Sequence, residues 1–386
     1  MDDETKRRKT KTVRIGGFSH VQPVDVGGDF TVVVETMWKD RLDASGLEDA
    51  ARRVGELGAL GCRLLRFAAP DLDAAEALGS LARMVSMPLI ADVHFDHRIA
   101  LRCMDFPIAK IRVNPGNIGG REKARKVAEK AADRGVPIRV GVNAGSLPAD
   151  LARRVDGGMD RADALVEVAE RELAVFDEIG FRDVLVSMKA SGIADTVRAN
   201  RIFSERHGAP LHVGVTEAGP LVTGVARSAA ALVPLLAEGI GDTVRVSLSD
   251  SMESEIAAGR EICRAAAEIA LVSGGDASRL RQGGVRIVSC PRCGRHGFDT
   301  HGFMGRWLGR LCALDASLTV AVMGCEVNGP GEARHADLGV TGSGDKTLIF
   351  RRGRVVRTVG AEEADAAFEE ALLEAAREAA PGAGLP

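Results

Sequence analysis

The first two thirds of the chain alternate short apolar runs with longer stretches in which apolar residues recur at helical spacing, as in residues 47–60, 121–134 and 252–269. The apolar runs cover residues 30–38, 62–69, 88–95, 108–114, 137–143, 183–189, 210–216 and 243–249. These eight strand–helix units predict a (β/α)8 TIM barrel. An open doubly wound sheet also alternates strands and helices and is the runner-up, but eight units favour closure.

The alternation stops at residues 271–284, where two glycine-rich stretches are typical of a linker. The pattern beyond it predicts a small α+β unit: a strand into Cys290, a helix at 302–314, a strand at 318–323, a glycine-rich loop, a hairpin at 347–359 and a helix from 362 to about 379. We therefore divide the chain into a barrel domain (1–270), a linker (271–285) and a small C-terminal domain (286–386). Residues 13–29 fit no element of this pattern.

The composition excludes several classes of protein. Hydrophobic residues make up 45% of the 386 residues, which is enough for a large core, and the net charge is -3. Nucleic-acid-binding proteins usually carry a basic surface or stacking aromatics, whereas aromatic residues are 4% here and Tyr is absent. We find no signal peptide and no apolar run that could span a bilayer. We therefore expect a cytoplasmic protein with neither nucleic-acid nor membrane partners.

Polar side chains stand at the ends of the predicted strands, where a barrel of this type carries its active site. They are Arg66, Asp92, His94, Arg112, Asn114, Arg139, Asn143, Lys189, His212, Glu217, Arg245 and Ser247. A charge inside a barrel is costly unless it is paired or meets a ligand. Each cation alone could pair with a carboxylate on the rim, but cations on strand after strand favour a shared anionic ligand such as a diphosphate.

Three of the seven cysteines form a pattern suited to a metal. Cys290-Pro291-Arg292-Cys293 places two thiols in one turn, and Cys325 begins a glycine-rich loop that reaches Glu332. Three thiolates suit a [4Fe–4S] cluster, and a carboxylate suits its labile fourth position. A zinc ribbon completed by His296 or His301 also fits the spacing and stays open. Buried, inert thiols are expected for the others, Cys62, Cys103, Cys263 and Cys312.

Both sets of residues resemble one family, the 4-hydroxy-3-methylbut-2-enyl-diphosphate synthases, which are iron–sulfur enzymes of the methylerythritol phosphate route to isoprenoids. The resembling segments follow the family's order along nearly the whole chain. They are residues 91–96, 111–119, 139–146, 212–220, 239–248, 289–295 and 322–333.

The resemblance implies an oxidoreductase whose substrate is 2-C-methyl-D-erythritol 2,4-cyclodiphosphate. Two electrons open the ring and remove a hydroxyl as water, which leaves 4-hydroxy-3-methylbut-2-enyl diphosphate. It implies a [4Fe–4S] cluster on Cys290, Cys293, Cys325 and Glu332, and proton transfer assisted by Glu217. It also implies electrons from flavodoxin or ferredoxin and a homodimer. The positions that match the binding of the cyclic diphosphate are Arg66, Arg112, Arg139, Asn143, Lys189, Arg245 and Ser247.

The first barrel strand departs from the family. The family has a Val-Gln-Ser-Met-Thr-like sequence where this chain has Val34-Glu35-Thr36-Met37-Trp38, followed by Lys39-Asp40-Arg41. A carboxylate and a Trp there are expected to change the mouth of the barrel. This stretch motivates one alternative, a paralogue with the same cluster and a different anionic substrate. The second alternative is a zinc-stabilised protein that binds a phosphorylated ligand.

Overall fold

The computed structural model describes residues 8–114, 118, 120–291, 293–314, 316–325, 333–343 and 345–379. The chain forms two compact units: the larger extends to Gln282, and the smaller comprises the residues from Gly283 onward together with the short segment Ala59–Gly61. No helix in these ranges is both long enough and apolar enough to cross a membrane.

The larger unit begins with a short antiparallel hairpin and continues as a ring of parallel strands. In the described residues these are β1 (Val13–Ile15), β2 (Val24–Val26), β3 (Val33–Met37), β4 (Leu64–Ala68), β5 (Leu89–Asp92), β6 (Lys110–Val113), β7 (Ile138–Asn143), β8 (Val184–Lys189), β9 (His212–Val213) and β10 (Thr243–Val244). Pairing runs in order from β3 to β8, and β10 pairs with both β3 and β9. A parallel bridge between Val186 and Leu211 joins β8 to β9. The predicted eight-stranded barrel is confirmed.

Helices lie between the strands, and several begin at a capping side chain. The Asp71 carboxylate accepts from the N–H of Ala74, and the Ser251 hydroxyl accepts from that of Ser254, which satisfies a free donor of each first turn. The helices of this unit are α1 (Leu47–Ala59), α2 (Leu72–Met84), α3 (His97–Cys103), α4 (Arg121–Arg134), α5 (Ala149–Asp156), α6 (Arg161–Ile179), α7 (Ile193–Arg206), α8 (Leu221–Ala237) and α9 (Met252–Val272).

The hairpin β1–β2 closes the amino-terminal end of the barrel. Its buried Val13, Ile15 and Val24 pack in one cluster with Val33 and Leu64, which are the first residues of β3 and β4. This segment is the one that the strand–helix pattern left unplaced. Because the hairpin fills one end with apolar side chains, the opposite end, where the strands terminate, is the end open to a ligand.

The segment expected to be a linker packs against the barrel. Helix α9 continues to Val272, and Arg279 is buried beyond it. Arg279 Nε donates to the carbonyl of Phe30 at 2.9 Å, its guanidinium pairs with the buried Asp242, and its own carbonyl accepts from the N–H of Val32. The glycine-rich stretches indicated where the strand–helix pattern ends. They gave no sign that Arg279 contacts the barrel in this way.

The smaller unit is a mixed sheet with two helices. In its described part the strands are β11 (Arg286–Ser289), β12 (Thr319–Val322), β13 (Leu338–Ser343), β14 (Lys346–Arg351) and β15 (Arg354–Gly360), and the helices are α10 (Thr300–Ala313) and α11 (Ala364–Ala379). Pairing is parallel from β11 to β13 and antiparallel from β13 to β15. Its core brings Phe303 and Trp307 of α10 against Phe368 of α11, with ring centroids 5.0 and 4.8 Å apart.

Strand β13 was missing from the sequence prediction because glycines interrupt it. Gly339 lies opposite Phe350 of β14 in the antiparallel pair. A Cβ atom built on Gly339 would fall within 2.1 Å of the Phe350 ring. The ring therefore occupies the space of a side chain, and only glycine fits at this point of the strand.

Candidate functional site

A cavity of about 90 Å³ opens at the carboxyl-terminal end of the barrel. The described side chains that line it come from β4 to β8 and from the loops after β5, β9 and β10. They are Arg66, Asp92, His94, Arg112, Arg139, Asn143, Lys189, Val215, Thr216, Arg245 and Ser247. The structure thus brings together all the cations that the sequence placed at strand ends.

Asp92 is a buried acceptor among the cations on one side of the cavity. Arg112 Nη1 donates to Asp92 Oδ1 at 3.1 Å, and Arg66 Nε lies 3.5 Å from Asp92 Oδ2. His94 Nε2 lies 3.3 Å from Asp92 Oδ1. Burial alone would raise the pKa of Asp92, but the Arg66 charge, the His94 hydrogen bond and the Arg112 charge hold it well below its usual range. Asp92 therefore stays ionised and orients both guanidinium groups.

Gly141 of β7 and Gly214, directly after β9, make room for cations to reach the cavity. A Cβ atom on Gly141 would lie 2.3 Å from Arg112 Nε, and one on Gly214 would lie 2.7 Å from Lys189 Nζ. Arg112 Nη2 uses the space to donate to the Gly141 carbonyl at 3.2 Å. Each long side chain thus passes a neighbouring segment at a residue that has no side chain.

Arg139 and Arg112 present unused hydrogen-bond donors. Arg139 is 1% exposed, and its Nη1 donates to Ser187 Oγ at 2.8 Å. In the described protein, Arg139 Nε, Arg139 Nη2 and Arg112 Nε are buried without a hydrogen-bond partner. Buried donors are nearly always satisfied in folded proteins. Here they line a cavity, so an anion with several oxygen atoms is the partner that they fit.

Glu255 of α9 binds Arg245 of the cavity, and the sequence analysis did not predict Glu255 as a site residue. Arg245 Nη2 donates to Glu255 Oε1 at 3.1 Å, and Lys39 Nζ donates to the same oxygen at 2.9 Å. Thr36 Oγ1 donates to Glu255 Oε2 at 2.5 Å. The sign of this in the sequence is a carboxylate on a helical face that is otherwise apolar. That pattern does not indicate which residue the carboxylate binds.

A second layer of charge lies beneath the cavity. Glu35 and Lys110 are completely buried, with Lys110 Nζ 3.3 Å from Glu35 Oε2. Burial alone would raise the pKa of Glu35, but Lys110, Arg139, Arg66 and Lys189 outweigh it and lower the pKa to about 2. Glu35 was expected to change the mouth of the barrel. The structure instead places it inside, as a counter-charge to the cations above it.

Three predicted residues stand outside the cavity lining. His212 is fully buried below the cavity, where its Nε2 contacts Lys189 Nζ at 2.8 Å and its Nδ1 contacts Thr243 Oγ1 at 2.7 Å. Asn114 is buried at the end of β6. Glu217 is exposed beside Thr216, which does line the cavity. Its φ of +52° is uncommon for a residue other than glycine, and such strain is concentrated at functional sites.

Cys290 and Cys325 follow two neighbouring parallel strands of the smaller unit, β11 and β12, and therefore stand at the same edge of the sheet. The Cys290 N–H donates to the Val322 carbonyl at 2.9 Å, and a Cβ atom on Gly324 would lie 3.7 Å from Cys290 Sγ. Cys293 is exposed, Cys290 is partly buried and Cys325 is buried, and all three thiols are free.

These thiols have the donor chemistry that an iron–sulfur cluster requires. Within the described ranges, no three His, Cys, Asp or Glu side chains form a group arranged around one ion. Glu332, the predicted fourth ligand, lies outside the described residues. By contrast, burial raises the pKa of Cys62, Cys103 and Cys263 to about 12, as expected for inert thiols.

Known proteins match both units. The model of the GcpE TIM-barrel domain matches residues 10–260, and that of the GcpE protein C-terminal domain matches residues 286–374. Similar relatives named 4-hydroxy-3-methylbut-2-en-1-yl diphosphate synthase (flavodoxin) include proteins of Treponema pallidum, at 48% identity over 94% of this chain and 91% of theirs, and of Treponema denticola, at 45% identity over 94% and 97%. A relative of the same name from Geobacter sulfurreducens is 43% identical over 94% and 97%. Because the matches span both units, this chain belongs to the GcpE family.

Proposed function

We propose that the chain catalyses the reductive ring opening and dehydration of 2-C-methyl-D-erythritol 2,4-cyclodiphosphate to 4-hydroxy-3-methylbut-2-enyl diphosphate. The observation that carries this proposal is the cavity of convergent cations, in which buried donors of Arg112 and Arg139 have no partner among the residues that the structure describes. The printed names of the relatives describe a synthase of this product. No observation favours the paralogue or the zinc-stabilised binding protein.

The cavity residues bind and orient the cyclic diphosphate. Guanidinium groups grip its phosphoryl oxygens in pairs, and Lys189 adds a point charge. Asn143 and Ser247, which also line the cavity, donate neutral hydrogen bonds. The residues proposed to hold the substrate are Arg66, Asp92, His94, Arg112, Asn114, Arg139, Asn143, Lys189, His212, Arg245 and Ser247. Of these, Asp92 and His212 act indirectly, by orienting the cations.

Glu217 supplies the proton with which the departing hydroxyl leaves as water. Its carboxyl group stands on the loop after β9, beside a residue of the cavity wall. A positioned carboxyl group within reach of the leaving oxygen is a suitable general acid. The positive φ of Glu217 supports a functional role, because strained backbone conformations are concentrated at functional sites.

Cys290, Cys293, Cys325 and Glu332 would hold a [4Fe–4S] cluster. When bound, such a cluster supplies electrons singly and offers an open iron at the position with the weaker ligand. We propose flavodoxin as the electron donor, with ferredoxin as the alternative, and a cytoplasmic homodimer as the working form. We also propose that the barrel domain (1–270) binds substrate and the C-terminal domain (286–386) carries the cluster.

The test begins with anaerobic purification and measurement of iron, sulfide and visible absorption. We expect about four irons per chain and turnover of the cyclodiphosphate once a chemical reductant is added. Glu332→Ala should abolish turnover, and Cys290→Ser should also lower the iron content, whereas Cys103→Ala, a change to a buried barrel thiol, should keep the cluster. A colourless protein with one zinc, or full activity in Glu332→Ala, would overturn the proposal.

A further inference from the structure

The amino group of Lys189 lines the cavity together with the guanidinium groups. Its Nζ is within 2.8 Å of His212 Nε2, and in the described part of the chain no carboxylate forms an ion pair with it. By comparison, Arg112 pairs with Asp92, and Arg245 pairs with Glu255. A buried ammonium group without a direct counter-ion is costly, so its charge depends on what occupies the cavity.

The charges that face Lys189 come from several strands. Arg66 on β4, Arg139 on β7 and Arg245 after β10 repel its ammonium form, and Glu35 on β3 attracts it. Burial and these three guanidinium groups lower the pKa of Lys189 well below its usual range, and Glu35 opposes that shift. The cavity therefore has an excess of positive charge when no anion is bound.

His212 can accommodate either protonation state of Lys189. Burial and the surrounding cations lower the pKa of His212 well below its usual range, so its ring is neutral. When Lys189 is an ammonium group, it donates a hydrogen bond to Nε2, and Nδ1–H donates to Thr243 Oγ1. When Lys189 is a neutral amine, Nε2–H donates and Nδ1 accepts from the Thr243 hydroxyl.

Glu35 lies beside the contact between Lys189 and His212. Its Oε1 is buried without a hydrogen-bond partner among the described residues and lies 3.5 Å from His212 Nε2. Its other oxygen, Oε2, is the one that contacts Lys110. Glu35 and Lys189 thus lie against the same ring nitrogen of His212, and the negative charge of Glu35 acts on Lys189 over this short distance.

We propose that binding of the cyclic diphosphate is coupled to the uptake of one proton by Lys189, and that the negative charge of Glu35, beside the contact between Lys189 and His212, sets the pH at which the uptake occurs. The inference rests on the proposed function, which supplies the anion. Each phosphorus of a cyclic diphosphate carries a single, strongly acidic oxygen, so the ligand is a dianion that does not titrate near neutral pH. A proton gained on binding must therefore be bound by the protein.

The direction of the pH dependence follows from linkage. Below the pKa of Lys189 in the free protein, the ammonium group is already present, and affinity does not depend on pH. Between that pKa and the higher one in the complex, binding takes up a proton, and affinity falls as the pH rises. Replacing Glu35 by Gln removes the attracting charge, lowers the pKa of free Lys189 and moves the onset of uptake to lower pH.

The experiment is calorimetry of cyclodiphosphate binding to the anaerobic holoenzyme without reductant, in buffers of different ionisation enthalpy between about pH 6 and pH 9. We expect a maximum uptake of roughly 0.3 to 1 proton per anion bound. Lys189→Arg should reduce the uptake to about zero, because a guanidinium group stays charged. Glu35→Gln should shift its onset to lower pH, and Glu129→Gln, on the exposed face of α4, should change neither.

The possible failures are distinguishable. Binding without proton uptake by the wild-type protein, or uptake that persists in Lys189→Arg, overturns the inference and leaves the proposed function standing. If proton uptake begins at the same pH in Glu35→Gln as in the wild type, Glu35 does not set the pH of the uptake. Absence of any binding overturns the proposed function and this inference with it. If Glu35→Gln fails to fold, the comparison between the wild type and Lys189→Arg still decides whether Lys189 takes up the proton.

Discussion

Individual side chains of the barrel interior differ from those of most barrels of this fold. The interior of a (β/α)8 barrel is usually filled with Val, Ile and Leu, whereas Glu35, Lys110, Arg139 and His212 are at most 1% exposed here. Burying each charge costs several kcal/mol unless partners compensate it. Glu35, Asp92 and Glu255 lie among the cations and compensate part of this cost.

Replacing Arg139 tests the cavity as the site of the cyclic diphosphate. Arg139→Met removes two free donors and a charge, and hydrogen bonds to a charged group contribute about 1.5–3 kcal/mol. We therefore expect the dissociation constant to rise roughly 10- to 100-fold, as measured by calorimetry without reductant. Arg125→Met, on the exposed face of α4, is the control. Tight binding by Arg139→Met would show that the diphosphate binds elsewhere.

Replacing Glu217 separates proton transfer from binding. Glu217→Gln keeps the size of the side chain and removes the acid. We expect turnover to fall about 10²- to 10⁴-fold, the usual contribution of a positioned acid, with the dissociation constant of the cyclodiphosphate nearly unchanged. Glu129→Gln serves as the surface control. Wild-type turnover in Glu217→Gln would exclude the proposed role.

At the scale of secondary structure, the strands supply empty positions as well as side chains. Arg112 reaches its partners across β7 because Gly141 has no side chain, and Lys189 occupies the space beside Gly214 in the same way. The same principle operates in the smaller unit, where Gly339 accepts the Phe350 ring. The strand glycines that weaken a propensity-based prediction are therefore the residues that allow these contacts.

Gly141→Ala tests this arrangement. The new Cβ atom would come within 2.3 Å of Arg112 Nε and must displace the guanidinium group from Gly141 and Asp92. We expect about a tenfold weaker affinity for the cyclodiphosphate, about 1.4 kcal/mol, with the far-UV circular dichroism unchanged. Gly55→Ala, on α1 with nothing within 4 Å of the new Cβ atom, is the matched control. Affinity within twofold of the wild type would mean that Arg112 does not contribute through this contact.

At the scale of the whole molecule, the two units carry different parts of the chemistry. The cations of the cavity all belong to the barrel unit, and the three cysteines with metal-site spacing all belong to the smaller unit. Each unit also has its own hydrophobic core. Anion binding and metal binding should therefore be separable by experiment.

Removal of the metal tests this separation. After oxidative chelation of the holoenzyme, we expect the visible absorption and turnover to disappear, while the cyclodiphosphate still binds with a dissociation constant within about tenfold of its original value, a change of at most about 1.4 kcal/mol. Absorbance and calorimetry on the same sample provide the measurements, and restoring iron and sulfide should restore turnover. Loss of all binding in the metal-free protein would show that the barrel cavity alone does not hold the substrate.

The sequence by itself determined the barrel, the alternation of its strands and helices, and the set of cations at the strand ends. These features follow from local periodicity and from the rule that parallel strands present their carboxyl ends at one face. The Cys290–Cys293 motif was equally readable, because its spacing is local. Only the pairing of β11 with β12 places Cys325 at the same edge of the sheet as Cys290. The roles of the site residues remain predictions.

Only the tertiary structure decided which charges are paired and which are left for a ligand. Thr36 and Glu255 are 219 residues apart in the chain, and Lys110 and Glu35 are 75 apart. The hairpin that closes the barrel, the buried position of Glu35 and the free donors of Arg139 likewise depend on contacts between distant segments. The periodicity of the sequence indicates which face of a helix or strand is buried. Which charged side chains form ion pairs, and which lose their water, depends on the residues that the closed barrel places opposite that face.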